Sequence, residues 1–358
     1  MKSQKRVRGF KIALLIFLII LLLLALLIAV GYGYYRSKVK MLQPDQVIAP
    51  EDMILSQDEM DELVEDSHEL ADQMNQQLEA LEEAAPIEAV GNVREEDQVI
   101  NILFIGTDER ARDFSENARG DSCMLFSVNT AGDHPVISLV SFERGMGVPV
   151  LSGEYEGKWD WLTHMFRYGG SELMLQTIQE CFKLDVDYYV RVNFNSFTAG
   201  VDALGGVDVH MDRNEALYFI NGHKYPAVVG MNHLDGEMAL NYARLREIDS
   251  DWQRIERQRE VVFSALTQLK GMSLTEADQL INTAITLVRT NLDEKTINKL
   301  LLMLPSLPKA TFQQMTIPKQ GTYGGMTGMG GRGMFAADFQ TNTEILHEFI
   351  YGEYHEIP

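Results

Sequence analysis

Cysteine is nearly absent from this chain of 358 residues, which has only Cys123 and Cys181. That excludes the disulfide framework on which small exported domains rely. Each falls within an apolar pattern, so both read as small buried hydrophobes. Basic side chains are nearly absent from residues 41–100, which hold 18 acidic groups against the single Arg94. This stretch carries most of the net charge of −21, and residues 101–358 hold −12. Such a chain lacks the basic face that nucleic acid requires, and it carries no helix-turn-helix signal. Seven glycines crowd into Gly321–Gly333, but the GxxxxGK[ST] frame of a phosphate-cradling loop is missing. That stretch reads as a flexible surface loop.

What the chain does have is one long apolar run. Ile12 to Val30 is 19 residues without a charge or a polar side chain, close to the ~20 residues of a membrane-spanning helix. A cleaved signal peptide carries a shorter apolar core and a small-residue cleavage site. Here Gly31-Tyr-Gly-Tyr-Tyr-Arg36 follows, and Tyr32, Tyr34 and Tyr35 fit an interfacial aromatic belt. A retained anchor is the expectation. Lys2, Lys5, Arg6, Arg8 and Lys11 precede the run, whereas only Arg36, Lys38 and Lys40 follow it closely. The excess of positive charge places the N-terminus in the cytoplasm and the remainder outside the cell membrane. The expected divisions are a basic tail (1–11), a transmembrane helix (12–31), an acidic juxtamembrane stalk (32–97) and one large domain (98–358).

Within the stalk, Pro44–Pro50 reads as an extended linker. Met60, Leu63, Leu70, Met74, Leu78 and Leu81 then recur at helical steps through Glu51–Glu83. Ser67 interrupts this stripe, which favours a solvated spacer helix over a stable coil, and Pro86 ends it. Beyond Gln98, strands are expected at Val99–Ile105, Cys123–Val128, Val136–Ser141, Tyr188–Asn193, Val207–Met211 and Phe312–Ile317. Helices are expected at Ser171–Phe182, Asn195–Leu204, Asp235–Leu245, Trp252–Leu269, Thr275–Val288, Asp293–Pro305 and Thr343–Tyr351. Strands interleaved with helices argue for an α/β fold, and about 260 residues suffice for one sizeable core.

The chemistry concentrates in a cluster of arginines. Arg244, Arg246, Arg254 and Arg257 fall within 14 residues, together with Asp249 and Asp251. Guanidinium groups fork onto phosphate oxygens, and carboxylates beside them neutralise the cluster or hold a hard cation such as Mg²⁺. Asp108 lies just past a strand end, with Arg110 two residues later, and Arg119-Gly-Asp121 precedes the next strand. Two Asp–Arg pairs flanking neighbouring strands can converge on a crevice at the sheet edge. Taken singly, each pair reads as a surface ion pair at a turn. Arg144 ends the third strand and points toward the same edge. Asp251 serves as a helix cap, or as a base or metal-orienting group at a helix N-terminus. His164 sits in an aromatic patch with no Ser or Asp partner evident in the sequence and reads as structural.

Seven blocks carry a resemblance. They are Asn101–Arg110, Arg119–Ser122, Ser138–Arg144, Leu162–His164 with Tyr168–Gly170, Asp187–Phe194, Asp202–Val207, and Leu234–Arg246 with Asp251–Gln258. In wording and order, across residues 99–260, they resemble the LytR–CpsA–Psr family of membrane-anchored cell-envelope proteins. The resemblance implies a single extracytoplasmic α/β/α domain with a central mixed sheet, on an N-terminal transmembrane helix. It further implies a Mg²⁺-dependent phosphotransferase that moves a glycopolymer from an undecaprenyl-pyrophosphate carrier to peptidoglycan. The bond formed would be a phosphodiester to the 6-hydroxyl of N-acetylmuramic acid. Carried over by position, Asp108 and Asp121 would bind Mg²⁺. Arg110, Arg119, Arg144, Arg244, Arg246 and Arg254 would surround the pyrophosphate, and Asp251 would activate the acceptor. A non-catalytic polyprenyl-phosphate-binding scaffold and a pyrophosphate hydrolase remain alternatives at the same site. Two departures from the family pattern stand out. Phe142-Glu-Arg-Gly145 replaces Ile-Pro-Arg-Asp, and Trp161-Leu-Thr-His164 replaces Lys-Ile-Asn-His.

Overall fold

The structure is a computed structural model that describes residues 33–34, 36–45, 77–78, 81–109, 114, 118–245, 248, 250–269 and 287–352. The expected anchor, most of the stalk and most of the expected helix 275–288 lie outside these residues. Among the described residues, no helix is long and apolar enough to cross a membrane. The chain divides into two compact units, 1–42 and 43–358. In the first, the described residues are helical at Arg36–Val39.

Among the described residues, the second unit holds twelve strands. They are β1 (Val99–Thr107), β2 (Gly120–Asn129), β3 (Val136–Phe142), β4 (Gly147–Pro149), β5 (Trp159–Trp161), β6 (Tyr188–Val192), β7 (Val207–Met211), β8 (Gly230–Leu234), β9 (Arg289–Thr290), β10 (Thr311–Ile317), β11 (Tyr323–Thr327) and β12 (Gly333–Ala337). The helices are α1 (Leu162–Phe182), α2 (Phe194–Ala203), α3 (Arg213–Tyr218), α4 (Gly236–Arg244), α5 (Asp251–Leu269), α6 (Glu294–Met303) and α7 (Phe339–Tyr351). Six strands form the central sheet in the order β10-β3-β2-β1-β6-β9. β1 runs parallel to β6 and antiparallel to β2, and β3 runs parallel to β10. The sheet is therefore mixed, as expected.

Alternation along the strands divides this sheet into two faces. Leu103, Ile105, Cys123, Leu125, Val140 and Phe142 pack into the main core with Leu173 and Ile178 of α1 and Leu346 of α7. Phe104 and Gly106 of β1, opposite Met124 and Ser122 of β2, face the other way. Cys123 and Cys181 are both free and buried. A second apolar cluster joins β7, β8, α2 and α4 through Val207, Val209, Leu234 and Ala239. Where α4 begins, Gly236 lies so close to α2 that an added Cβ would meet the Thr198 carbonyl oxygen at 2.2 Å. That contact fixes the spacing of the two helices over the sheet.

Three expectations change here. The helix expected from Ser171 begins nine residues earlier, at Leu162, and is broken at Gly169–Gly170, where Gly170 has a φ of 65°. The glycine-dense stretch is not a flexible loop. It contributes β11 and the start of β12, paired from Tyr323 opposite Ala337 to Thr327 opposite Gly333. Tyr323 stacks on Trp252 at the start of α5, and Trp161 Nε1 donates to the Gly333 carbonyl at 2.8 Å. Residues 81–97, which the charge pattern assigns to the stalk, are joined to the domain. Ala84 pairs with Gly325, Ile87 with Ala337 and Arg94 with Lys183 through backbone hydrogen bonds. Leu78 and Leu81, the last members of the helical stripe, pack against Trp161, Met334 and Phe335.

Candidate functional site

The second sheet face does not close onto its helices. A cleft of about 810 Å³ lies between β1, β2 and β3 below and α2, α4 and α5 above. Its two ends differ because strand direction sorts the side chains. Thr107 closes β1, Val192 closes the parallel β6 and Asn193 follows it, while Asp121 and Ser122 open the antiparallel β2. Polar groups thus gather where β1 and β6 end. Further down the same face lie Phe104, Met124 and Leu139. The helices repeat the sorting. Arg254, Gln258 and Val262 line the cleft at four-residue steps of α5, and Arg244 and Leu240 do so on α4. From Arg254 to Val262 the helix rises ~12 Å. The cleft is an apolar trough with a polar mouth, at the strand ends where α/β sheets bind ligands.

Three of the residues expected at the site meet at this mouth: Asp121, Arg244 and Arg254. Arg254 is 1% exposed, so its permanent charge is held in a dehydrated wall. Arg244 lies with its guanidinium 4.4 Å from the Phe194 ring centre. Arg144 is buried behind them and donates from Nη1 to Asp121 Oδ1 at 3.4 Å. The expected pairings along the sequence are exchanged in space. Asp108 does not stand alone as a metal ligand. Its Oδ1 accepts from the Arg119 backbone N–H at 2.9 Å, and its Oδ2 accepts from Arg119 Nε and Nη2 at 2.9 and 2.7 Å. Neither Asp108 nor Arg119 lines the cleft, and their pairing supports the loop end beside it. Arg110, Arg246 and Asp249 lie outside the described residues, as does the side chain of Asp251. The backbone of Asp251 begins α5.

Arg257 leaves the expected cluster altogether. Its Nε donates to Glu215 at 2.5 Å and its Nη1 to the Leu245 carbonyl at 2.9 Å. Three positions along a helix leave two side chains only about 60° apart, so it is the pairing with Glu215 and the Leu245 carbonyl, and not the helical phase, that draws Arg257 away from Arg254. Other residues at the mouth drew no notice as single positions. Asn193 caps α2, with its Oδ1 accepting from Ser196 N at 2.9 Å, and also lines the cleft. The Asn-x-x-Ser spacing before a helix was the available signal. Gln258 could have been found as the residue four after Arg254.

His164 has a partner after all, and it is four residues upstream. Asp160 is fully buried. Its Oδ2 meets His164 Nδ1 at 2.9 Å, Tyr168 Oη at 2.5 Å and Arg332 Nη2 at 2.8 Å. Its Oδ1 accepts from the Trp161 N–H at 2.9 Å and from Arg332 Nε at 3.2 Å. A carboxylate only accepts, so the His164 proton sits on Nδ1. Burial opposes ionisation of Asp160, but His164 and Arg332 outweigh it and hold the carboxyl well below the usual range. Burial, with Asp160 beside it, pushes the Tyr168 hydroxyl up, so Tyr168 stays a donor. The cluster is structural, as the sequence suggested. It sits behind Arg144, whose carbonyl accepts from the Thr163 N–H at 3.2 Å.

The donor set at the mouth suits Mg²⁺ delivered with phosphate. Mg²⁺ takes one or two carboxylates and fills its shell with phosphate oxygens and water. Asp121 stands on the cleft wall, whereas Asp108 would have to release Arg119 to join it. Among the described residues, no group of three or more His, Cys, Asp or Glu is placed to hold a metal. The residues therefore match a sparse carboxylate site completed by ligand oxygens, and not an all-protein cage.

Fold and site together define the class: an α/β/α domain with a mixed sheet and an amphipathic cleft whose mouth is lined by arginine and aspartate. The LytR_cpsA_psr family model matches residues 64–346, and the chain belongs to that family. The polyisoprenyl-teichoic acid–peptidoglycan teichoic acid transferase TagU of Oceanobacillus iheyensis is 30% identical over 221 residues, 59% of this chain. The match spans 65% of that relative's length, just under two-thirds. Among solved structures, TagT bound to LIIa-WTA is 25% identical with a TM-score of 0.56, covering 75% of this chain and 96% of that one. Protein gbs0355 from Streptococcus agalactiae shares the fold, with a TM-score of 0.61 at 23% identity over 73% of this chain and 91% of that one.

Proposed function

We propose that this chain is a phosphotransferase that moves a glycopolymer from an undecaprenyl-pyrophosphate carrier to peptidoglycan. The observation that carries this reading is the cleft, whose apolar trough ends at Arg244, Arg254 and Asp121. The trough suits a prenyl chain and the mouth suits its pyrophosphate. In the proposed reaction, the 6-hydroxyl of N-acetylmuramic acid attacks the phosphorus distal to the lipid. The new P–O bond makes a phosphodiester, the bond to the bridging oxygen breaks, and prenyl phosphate leaves with the electron pair. Transfer of this kind depends on positioning and charge neutralisation more than on covalent help. Arg244 and Arg254 hold the non-bridging oxygens. Arg144 holds Asp121 in place, and the Asp108–Arg119 pair fixes the neighbouring loop. Arg110 and Arg246 complete the arginine set by position in the sequence. Asp251, at the start of α5, takes the hydroxyl proton. Mg²⁺ held by Asp121, with Asp108 as second carboxylate, would neutralise charge building on the leaving phosphate. The apolar run 12–30 anchors the chain in the cell membrane, with the N-terminus cytoplasmic and the domain outside.

The deciding experiment incubates the full chain with Mg²⁺, a lipid-pyrophosphate-linked oligosaccharide and peptidoglycan oligomers, followed by mass spectrometry. A sugar joined to the glycan strand by phosphodiester supports transfer. Free phospho-oligosaccharide would mean hydrolysis, and bound but unreacted lipid would mean a binding scaffold.

A further inference from the structure

The loop between β1 and β2 carries Asp108 and Arg119, and two of its other described residues, Glu109 and Phe114, share one anchor. That anchor is Arg191 of β6, which is 3% exposed. β6 runs beside β1 with Arg191 opposite Ile105, which brings its side chain to the base of this loop. Arg191 Nη2 donates to Glu109, the residue after Asp108. The guanidinium lies 4.6 Å from the Phe166 ring centre and 5.1 Å from that of Phe114, in the middle of the loop. Phe114 is also faced by the Arg289 guanidinium, at 4.6 Å. Glu109 is thus held by an ion pair and Phe114 by two cations against its ring.

The remaining partner of Arg191 comes from far away in sequence. Its Nη1 donates to Asp45 Oδ1 at 2.9 Å. Asp45 belongs to the segment read from sequence as a linker, two residues past the start of the second unit. It is held at two further points, and Gln43 at a third. Its Oδ2 accepts from Ser171 Oγ at 2.5 Å and its N–H donates to Tyr189 Oη at 2.8 Å. The Gln43 carbonyl accepts from the Thr290 N–H at 2.9 Å, next to Arg289. A linker needs none of these contacts. The buried Arg191 guanidinium couples the two carboxylates, and neutralising either weakens one of the charge-assisted hydrogen bonds that hold it in place.

We propose that Gln43–Asp45 is a strap that positions the site loop, with Asp45, Arg191, Glu109 and Phe114 as positioning residues. The inference deepens the proposed function, on whose site it rests. None of the four lines the cleft, so they act through Asp108 and Arg119. The chain leading from the expected anchor into the domain would then help set the geometry of the site.

Amide hydrogen exchange on the full chain in nanodiscs tests this without requiring turnover. Asp45→Asn and Glu109→Gln should each speed exchange of peptides spanning Thr107–Arg119 at least tenfold, with β12 and α7 unchanged. In the transfer assay both should lose about tenfold in kcat with KM within twofold, and Asp45→Glu should recover part of the loss. Unchanged exchange over Thr107–Arg119 in both variants overturns the proposal. Faster exchange spread equally over β12 and α7 also overturns it, since that would mark a general loss of stability. A wild-type chain that transfers nothing would remove the proposed function and leave the strap to be decided by exchange alone.

Discussion

Replacing Asp160 by asparagine keeps its shape and removes its charge. The consequences can be followed atom by atom. Asparagine Oδ1 still accepts from the Trp161 N–H and from Arg332 Nε, as Asp160 Oδ1 does now. The other oxygen becomes an NH₂ group, which only donates. It would then face His164 Nδ1, Tyr168 Oη and Arg332 Nη2. Histidine can exchange its tautomer and tyrosine can turn its hydroxyl, but a guanidinium has no acceptor. Arg332 is left buried, with like donors opposed and no counter-charge. Breaking a buried ion pair from one side costs about 3–5 kcal/mol. At the ~2 °C per kcal/mol expected for a domain of this size, the melting temperature should fall by roughly 6–10 °C at pH 7.

The acid side gives an independent check. The folded Asp160 carboxyl is held below its ordinary range, whereas an unfolded aspartate titrates near ~3.9. Its stabilisation is therefore complete above the unfolded value and is lost as the pH falls from there toward the folded one. The gap between wild type and Asp160→Asn should narrow as the pH falls below about 5. Differential scanning calorimetry across this range measures both effects. A melting temperature within about 2 °C of wild type at pH 7 would falsify the claim that this cluster holds the β11–β12 hairpin and the start of α1 together.

Three further outcomes concern the cleft. Asp121→Asn should cut transfer at least a hundredfold, on the scale of losing one preorganised charged group. Chelation should do the same to wild type, and full activity in Asp121→Asn would remove the Mg²⁺ assignment. Arg254→Met and Arg257→Met should part company despite lying three residues apart. The first should abolish turnover and the second should leave KM unchanged while lowering stability by about 3 kcal/mol, because it takes the Arg257 cation away from the buried Glu215 carboxylate. A calorimetric and kinetic comparison of the two decides whether the cluster is one site or two. Leu240→Glu puts a carboxylate in the apolar trough, so affinity for a prenyl-pyrophosphate lipid should fall at least tenfold in a binding titration. Affinity for inorganic pyrophosphate should change little, and equal losses for both would argue against the trough as the lipid site.

The central strands were legible because their residues face either the core or an apolar cleft, so Val99–Ile105 and Cys123–Val128 are mostly apolar runs. Gly169-Gly170 hid the first turns of α1, since two glycines read as a stop when no packing is known. The β11–β12 hairpin was illegible for a related reason. Glycine gives no alternation, and the hairpin owes its place to Trp161, Asp160 and Trp252, which are distant in sequence. The arginines and aspartates of the site were visible as residue types, since those charges at strand and helix ends fit few other purposes.

By itself, then, the sequence determined composition, period and neighbourhood: the α/β class, the clustering of arginines and the family blocks. These are local properties, written in residues a few positions apart. The tertiary structure alone decided who pairs with whom. It joined Asp108 to Arg119 and Asp121 to Arg144, turned Arg257 away from Arg254, and brought Asp45 across to Arg191. Ion pairing depends on distances of a few ångströms between atoms, and separation along a chain does not fix those distances until the sheet has set its order and register.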